Sequence, residues 1–345
     1  MKLGLMTGYS GNKVKIPLDI IKRAEELGYD SVWTAEAYGS DAVTTATWIL
    51  ANTSKIKVGT AIMQMPARTP AMAAMSAMTL SHLSDNRFIV GLGASGPQVV
   101  EGWHGVPYGK PVTRLKEYIT IMKMIFAREG ALTFDGKMYQ LPYTGEGATG
   151  LGKPLKSILH CDAEIPIYTA NITPAGVKAA AEVADGFFPV WMDPQQFHVF
   201  EEPINKGFEA AGGKILDDFA IAPFVRVIIG DDVDACMKPL KNNMALYIGG
   251  MGARSKNFYN DYAKRLGFEE AAVKIQDLYL DGKKAEAAAA VPDELVDACN
   301  LVGPAERIKE RAQIWKDAAK LGHVHTMLLA DASTEAVELM AEVML

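Results

Sequence analysis

The sequence predicts an α/β barrel of eight parallel strands that carries insertion segments. Three observations predict it. Short apolar, β-rich runs alternate with longer stretches of helical spacing. Eight such runs are counted along the chain. Right-handed crossovers between successive parallel strands close most simply into a barrel. The rival is an open doubly wound sheet, which wants a GxGxxG or GxxxxGK[ST] phosphate turn after its first strand. The turn here reads Gly8-Tyr9-Ser10-Gly11-Asn12-Lys13 and matches neither pattern.

The first expected strand is Lys2–Met6, followed by a helix from Pro17 to Leu27. Pro17 suits the first helical turn, and Gly28 suits the left-handed position just past a helix end. Ser31–Ala35, Ile56–Ile62 and Arg87–Leu92 read as the next strands. Helices are expected at Ala42–Ala51, Pro70–Leu83 and Lys110–Phe126. From Glu129 to Glu164 the rhythm breaks: TFDGKMYQLP looks like a hairpin around Asp135-Gly136, and 145–152 is glycine-rich. The alternation resumes with strand Ile165–Ala170, helix Pro174–Ala184 and strand Gly186–Val190. Phe219–Ile229 is the seventh strand, and a long helical stretch runs from Asp234 to about Ala290. Helix Pro304–Leu321, strand Thr326–Ala330 and a helix from Thr334 close the chain. One domain over residues 1–345 is expected, with insertions at about 129–164 and 234–290.

Composition narrows the function. Thirty-five basic residues against 41 acidic ones give a formal charge of −6, with no basic face to neutralise phosphates along a nucleic acid. No apolar run of about 18 residues suggests a membrane span, and the N-terminus lacks the long apolar core of a signal peptide. Cys161, Cys236 and Cys299 form neither an even set nor a CxxC pair, which fits a reduced, cytoplasmic setting.

In a barrel the active site gathers at the C-terminal strand ends. Those positions hold Thr7, Gly8 and Tyr9; Glu36 and Tyr38; Ala61, Ile62, Met63 and Gln64; Gly93, Ala94, Ser95 and Gly96; Thr169, Asn171 and Thr173; and Pro189 and Trp191. The set is rich in small residues, amides and hydroxyls and poor in acid–base pairs. No HExxH-like cluster occurs among the six histidines, so no metal is expected. His323 and His325 sit at the stability end of the barrel and read as structural. His104, after Trp103, is a candidate to touch a ligand, and is equally readable as a surface-loop residue. No GxSxG elbow supports hydrolysis.

A phosphorylated planar cofactor fits better. Thr173 is a plausible N-cap with Pro174 at the first helical position, leaving backbone amides at Ala175, Gly176 and Val177 for a phosphate. GLGASG at 91–96 lets a flat ring approach the backbone.

Four blocks carry a resemblance: AEELGYDSVWTAEAYGSDA (24–42), KVGTAIMQMPARTPAMAAMSAMTLSHLSDNRFIVGLGASGPQVVEGWHG (57–105), AAAEVADGFF (179–188) and VPDELVDACNLVGPAERI (291–308). Together they resemble the luciferase-like superfamily, in particular its coenzyme F420-dependent oxidoreductases, over nearly the whole chain, and within these a mycobacterial-type subgroup whose substrates are mostly unassigned. The resemblance implies a TIM barrel of the bacterial luciferase type, a homodimer, a small-molecule substrate and a deazaflavin held at the catalytic face. It implies a non-proline cis peptide at Ala61-Ile62 and places the acidic residue closing the second strand at Glu36. Many relatives have Asp-His there, whereas this chain has Glu36-Ala37. Relatives that oxidise sugar phosphates place a lysine after the sixth strand; PVWMDP here argues against such a substrate. The phosphate position maps onto Gly176 and Val177, with Arg254 a further candidate for the anionic tail and a solvated arginine its plain alternative.

The chemistry expected on this resemblance is hydride transfer between the deazaflavin and an organic electrophile. Thr7, Ala61, Ile62, Gln64, Gly93, Ser95, Gly96, Thr169 and Asn171 would contact the cofactor, with Ser95, Gln64 and the amides near Gly93 polarising the ring. Glu36, Tyr9 and His104 are the catalytic candidates, and Met63, Met65, Trp103 and Trp191 would line an apolar pocket. Met72, Met75 and Met78, at helical spacing, read as core. Two alternatives stand beside this one: an FMN-dependent monooxygenase on the same barrel, and a non-catalytic cofactor-binding protein.

Overall fold

The fold is a curled parallel β-sheet wrapped by helices, seen in a computed structural model that describes residues 1–8 and 11–345. In chain order the strands are β1 (Lys2–Thr7), β2 (Ser31–Thr34), β3 (Lys57–Thr60), β4 (Met63–Gln64), β5 (Phe88–Gly93), β6 (Phe134–Asp135), β7 (Gln140–Leu141), β8 (Ile167–Ala170) and β9 (Gly186–Phe188). The remainder are β10 (Ala220–Ile221), β11 (Phe224–Val225), β12 (Val227–Ile229), β13 (Leu301–Gly303) and β14 (Thr326–Ala330). The main sheet runs β10-β9-β8-β5-β3-β2-β1-β14-β11, with β4 beside β5. Its two edges are consecutive in sequence: β10 pairs with β9, and β11 pairs with β14.

The expected seventh strand, Phe219–Ile229, is therefore corrected to three short ones. Pro223 has no N–H to give a ladder, and the segment changes partners around it. Beyond it β12 pairs with β13, a strand the sequence did not suggest. The long helix expected after Asp234 is likewise broken, into Val233–Ala245, Phe258–Arg265, Glu269–Leu280 and Lys284–Ala289. Gly267 and Gly282 stand at two of the breaks with φ of +89° and +82°, in the left-handed region that ends helices. The hairpin at β6 and β7 exists, but Asp135 pairs with Gln140, so the loop is longer than a two-residue turn. Glu117 holds it by accepting the amides of Lys137, Met138 and Tyr139.

Two apolar layers result. Between sheet and helices lie residues such as Leu3, Val32, Val90, Met78 and Ile119. Inside the curl, Trp33, Tyr168, Phe188 and Phe224 pack ring to ring at centroid distances of 5.0–5.6 Å. Gly59 makes room for this core, since a Cβ there would stand 2.3 Å from the Trp33 ring. Helix starts are capped by Asp41, Thr69, Thr173, Asp232 and Ser333, each accepting an amide of the first turn.

Candidate active site

The C-terminal strand ends form two clusters around a glycine-lined centre. At the centre, Ala61-Ile62 is a cis peptide, as expected. A Cβ on Gly93 would fall 2.8 Å from Ile62 Cδ1, so Ile62 lies flat against the bare backbone of β5. Ser95, at φ +60°, turns the chain into the short helix Pro97–Gly102, for which Gly96 is the N-cap.

One cluster is built on Glu36. Arg68 grips its carboxylate through two parallel bonds of 2.8 Å, and the amides of Ala42 and Gln64 donate to it at 3.0 and 3.1 Å. Arg68 also pairs with Asp41. Burial would raise the Asp41 carboxyl, but bonds from Thr44 and the Arg68 charge hold it below its usual range. Gln64, fully buried, donates to the Ala37 carbonyl at 2.6 Å and turns its Oε1 toward His104 Nε2 at 3.4 Å. An amide oxygen only accepts, so this contact selects the His104 tautomer that carries hydrogen on Nε2. His104 is half-buried.

The geometry corrects several expectations. Glu36 accepts four hydrogen bonds, two of them from a guanidinium, and so ties strand ends together. Gln64 and Thr169 are fully buried. Thr169 accepts from Asn171 at 2.7 Å, and Thr7 donates to the Trp33 carbonyl at 3.2 Å. Met63 and Met65 pack into the layer under the helices rather than into a pocket. Met72 and Met75 are exposed, whereas Met78 is core, because the helix Pro70–Leu83 buries only one face. Tyr9 lies outside the described residues.

The second cluster surrounds the helix Pro174–Val183. Of its first amides, Gly176 donates to Thr173 Oγ1 and Val177 to the Thr173 carbonyl, which corrects the expectation that both are free for a phosphate. Only the Ala175 amide has no partner among the described residues. The expected Arg254 is corrected too: its guanidinium is exposed and paired with Asp277 and Asp281. Arg265 stands here instead, donating to the Ile172 carbonyl at 2.5 Å and lying over the Tyr262 ring. Trp191, at φ +45°, is fixed by Tyr262 and Cys299, which both donate to its carbonyl, and it meets the Tyr247 ring edge-on at 5.9 Å.

Sequence reasoning missed Arg68, Asp41 and Arg265. For Arg68 a signal existed, because the Thr69-Pro70 helix start places it beside the end of the third strand.

The luciferase-like monooxygenase family matches residues 2–319 of this chain. Rv3520c of Mycobacterium tuberculosis, named as a coenzyme F420-dependent oxidoreductase, is 42% identical over 98% of this chain and 97% of its own length. The chain belongs to the luciferase-like monooxygenase family.

A second relative, the 5,10-methylenetetrahydromethanopterin reductase of Archaeoglobus fulgidus, is 27% identical over 84% of this chain and 83% of its own. Among solved structures, the coenzyme F420-dependent tetrahydromethanopterin reductase of Methanopyrus kandleri superposes with a TM-score of 0.78 at 22% identity. It covers 99% of this chain and 97% of its own, which is a likeness of fold.

Proposed function

We propose that the chain is a coenzyme F420-dependent oxidoreductase that moves a hydride between the deazaflavin and an organic electrophile. The observation that carries this reading is the 42% identity to Rv3520c across almost the full length of both chains. The site fits an anionic planar cofactor in two respects. Gly93 and Ile62 offer a flat floor, and the Ala175 amide at the helix start has no partner among the described residues. When bound, the deazaflavin supplies the hydride chemistry.

The protein's own residues orient and protonate. Ile62, Gly93, Ser95 and Gly96 would back the ring, and Asn171 would face its side arm. His104, steadied by Gln64, is the residue placed to give or take a proton, because Glu36 is fully engaged. Trp191 and Tyr247, edge to face at 5.9 Å, would give an apolar or aromatic acceptor a wall to pack against.

The same reading takes residues 1–345 as one domain, since β14 near the C-terminus pairs with β1 at the N-terminus. It takes the curled sheet as a closed eight-stranded barrel, supported by segment 220–225 bonding to both sheet edges. It also takes the protein as a homodimer: Trp48, Met72 and Met75 are exposed on two successive helices, an apolar surface suited to a second copy. Among the described residues no helix is long and apolar enough to cross a membrane. Three free cysteines support a cytoplasmic setting.

Titration of the purified protein with reduced coenzyme F420 and reduced FMN tests the function. Tight deazaflavin binding with acceptor-dependent oxidation is expected. Tight flavin binding with oxygen uptake would overturn the reading in favour of a monooxygenase, and deazaflavin binding with no acceptor turnover in a broad carbonyl and enone panel would favour a carrier. Sedimentation velocity at micromolar concentration tests the dimer.

A further inference from the structure

Arg226 is a cation on the inner face of the curl. Phe224 packs into the inner aromatic layer against Phe188, whereas Val225 and Val227 are buried in the outer layer beneath the helices. Side chains alternate across a strand, so Arg226 points inward, one inward position beyond Phe224 toward the C-terminal strand ends. Its backbone is fixed on both sides: the amide donates to Asn300 Oδ1 at 3.1 Å, and the carbonyl accepts from Leu301 at 3.0 Å. Its Nη2 lies 2.9 Å from Asp331, which follows β14 at a φ of +51°. Among the described residues no acceptor meets its other guanidinium N–H groups, and 38% of the side chain stays exposed. Arg68, another guanidinium near these strand ends, is engaged by Glu36 and Asp41.

Topology sets what Arg226 faces. In the order β10-β9-β8-β5-β3-β2-β1-β14-β11, β3 stands four places from either edge, and segment 220–225 bonds both edges. The curl therefore sets Arg226 across from the cis peptide Ala61-Ile62 that follows β3. A planar ring laid on Ile62 and Gly93 would turn its free face toward Arg226. Tyr247 comes near enough to feel the same charge: burial raises its hydroxyl, Tyr38 raises it further, and Arg226 opposes both. Below Arg226 the inner layer is apolar, built on Trp33, Tyr168, Phe188 and Phe224.

We infer that Arg226 holds the carbonyl oxygen of the hydride acceptor, which makes the substrate class an apolar ketone or enone. This deepens the proposed hydride transfer and rests on it. As the hydride forms the new C–H bond with its electron pair, the displaced π pair carries negative charge onto the acceptor's oxygen. The two electrons come from the reduced deazaflavin, and one proton completes the product. Asp331 already compensates the guanidinium, so a carboxylate present from the start gains little there. Charge that develops on an oxygen during the transfer, over an apolar layer, is favoured instead.

The test compares wild type, Arg226→Gln, Arg226→Lys and Asp331→Asn. The Arg226–Asp331 pair is half-exposed, so its loss should cost the fold little and leave the Tm nearly unchanged. Reduced coenzyme F420 is offered cyclohexenone, or a cationic tetrazolium whose reduction neutralises charge and builds no oxyanion. Arg226→Gln is expected to lower kcat for cyclohexenone about a hundredfold to a thousandfold, the usual cost of a lost oxyanion donor, and to leave the tetrazolium within about threefold. Arg226→Lys should recover part of the loss. Equal losses on both acceptors, or none on either, would overturn the inference and leave the hydride transfer standing. Bound 4-nitrophenol, followed by its absorbance, reads the same site without turnover. Its phenolate should form about one pH unit lower on wild type than on Arg226→Gln, the usual effect of an adjacent charge, and lower still on Asp331→Asn. Identical ionisation on wild type and Arg226→Gln would also overturn the inference. If neither acceptor oxidises the cofactor while 4-nitrophenol still separates the variants, the proposed function fails and the oxyanion site at Arg226 stands.

Discussion

Glu36 and Arg68 face each other across the strand ends as a two-point ion pair, with both nitrogen–oxygen distances at 2.8 Å and both side chains largely buried. The pair ties the loop after β2 to the loop after β4, and the amides of Ala42 and Gln64 complete the carboxylate's shell. Removing one partner strands the other. Arg68→Met is expected to lower unfolding free energy by about 3 kcal/mol, the cost of leaving a buried charge uncompensated. The double variant Glu36→Gln/Arg68→Met should recover part of that loss, because the buried Glu36 charge is gone and only the more exposed Asp41 loses its partner. Urea unfolding of the four proteins of the cycle measures the coupling, and a coupling near zero would show the clamp to be dispensable.

The same pair separates structure from chemistry. His104→Ala is expected to reduce turnover about a hundredfold or more, the usual contribution of a positioned proton donor, while cofactor affinity changes little. Glu36→Gln should lose stability yet keep both limbs of the pH–rate profile in place. If instead Glu36→Gln removes a limb, the carboxylate carries the proton and His104 does not.

Glycines on β5 differ in what surrounds them. On Gly91 a Cβ would fall 1.6 Å from the Thr60 carbonyl oxygen, which is backbone and cannot give way. On Gly93 it would meet Ile62 Cδ1 and Cγ1 at 2.8 Å and Cβ at 3.2 Å, a side chain that can shift further than backbone can. Gly91→Ala is expected to yield insoluble or unfolded protein. Gly93→Ala should fold with a loss of about 1–3 kcal/mol, the usual cost of overpacking, and should weaken cofactor binding. Solubility and Tm of the two variants distinguish them; equal behaviour would contradict the contact geometry.

Acid should destabilise the fold slightly through His325. Desolvation lowers this imidazole from its ordinary 6.5, reinforced by Lys2 and Lys57 and opposed by Asp30, while the residue's remaining exposure keeps the effect small. The unfolded chain then binds the proton first, so stability declines as pH drops below about 6.5 and levels once the native imidazole also protonates. His325 bonds Thr326 Oγ1 at 2.9 Å through Nδ1, so His325→Asn should keep a polar partner and flatten this slope. Half-buried His323, stacked on Phe197 at 3.9 Å and also lowered by burial, contributes a residual slope. Chemical unfolding between pH 5 and 8 measures both; an unchanged slope in His325→Asn would exclude it as the source.

Much of this protein was legible without coordinates, because local chemistry repeats at short range. Strand–helix alternation, Pro-initiated helices at Pro70 and Pro174, the caps at Thr69 and Thr173 and the GLGASG backbone all announce themselves within a few residues. The four sequence blocks identified the family, and the cis peptide at Ala61-Ile62 followed from that resemblance. Tertiary structure decided which charges meet. Arg68 and Glu36 are separated by 32 positions, and Arg265 reaches Ile172 across 93. No local pattern specifies such pairs, since an arginine's neighbours in sequence do not say whether its partner is a carboxylate, a carbonyl or an incoming anion. The sequence by itself determined a luciferase-like α/β chain with a capped helix start at Thr173. Only the folded chain decided these partners, bringing Glu36 to Arg68 and Asp277 to Arg254, because an ion pair depends on distance in space and not along the sequence.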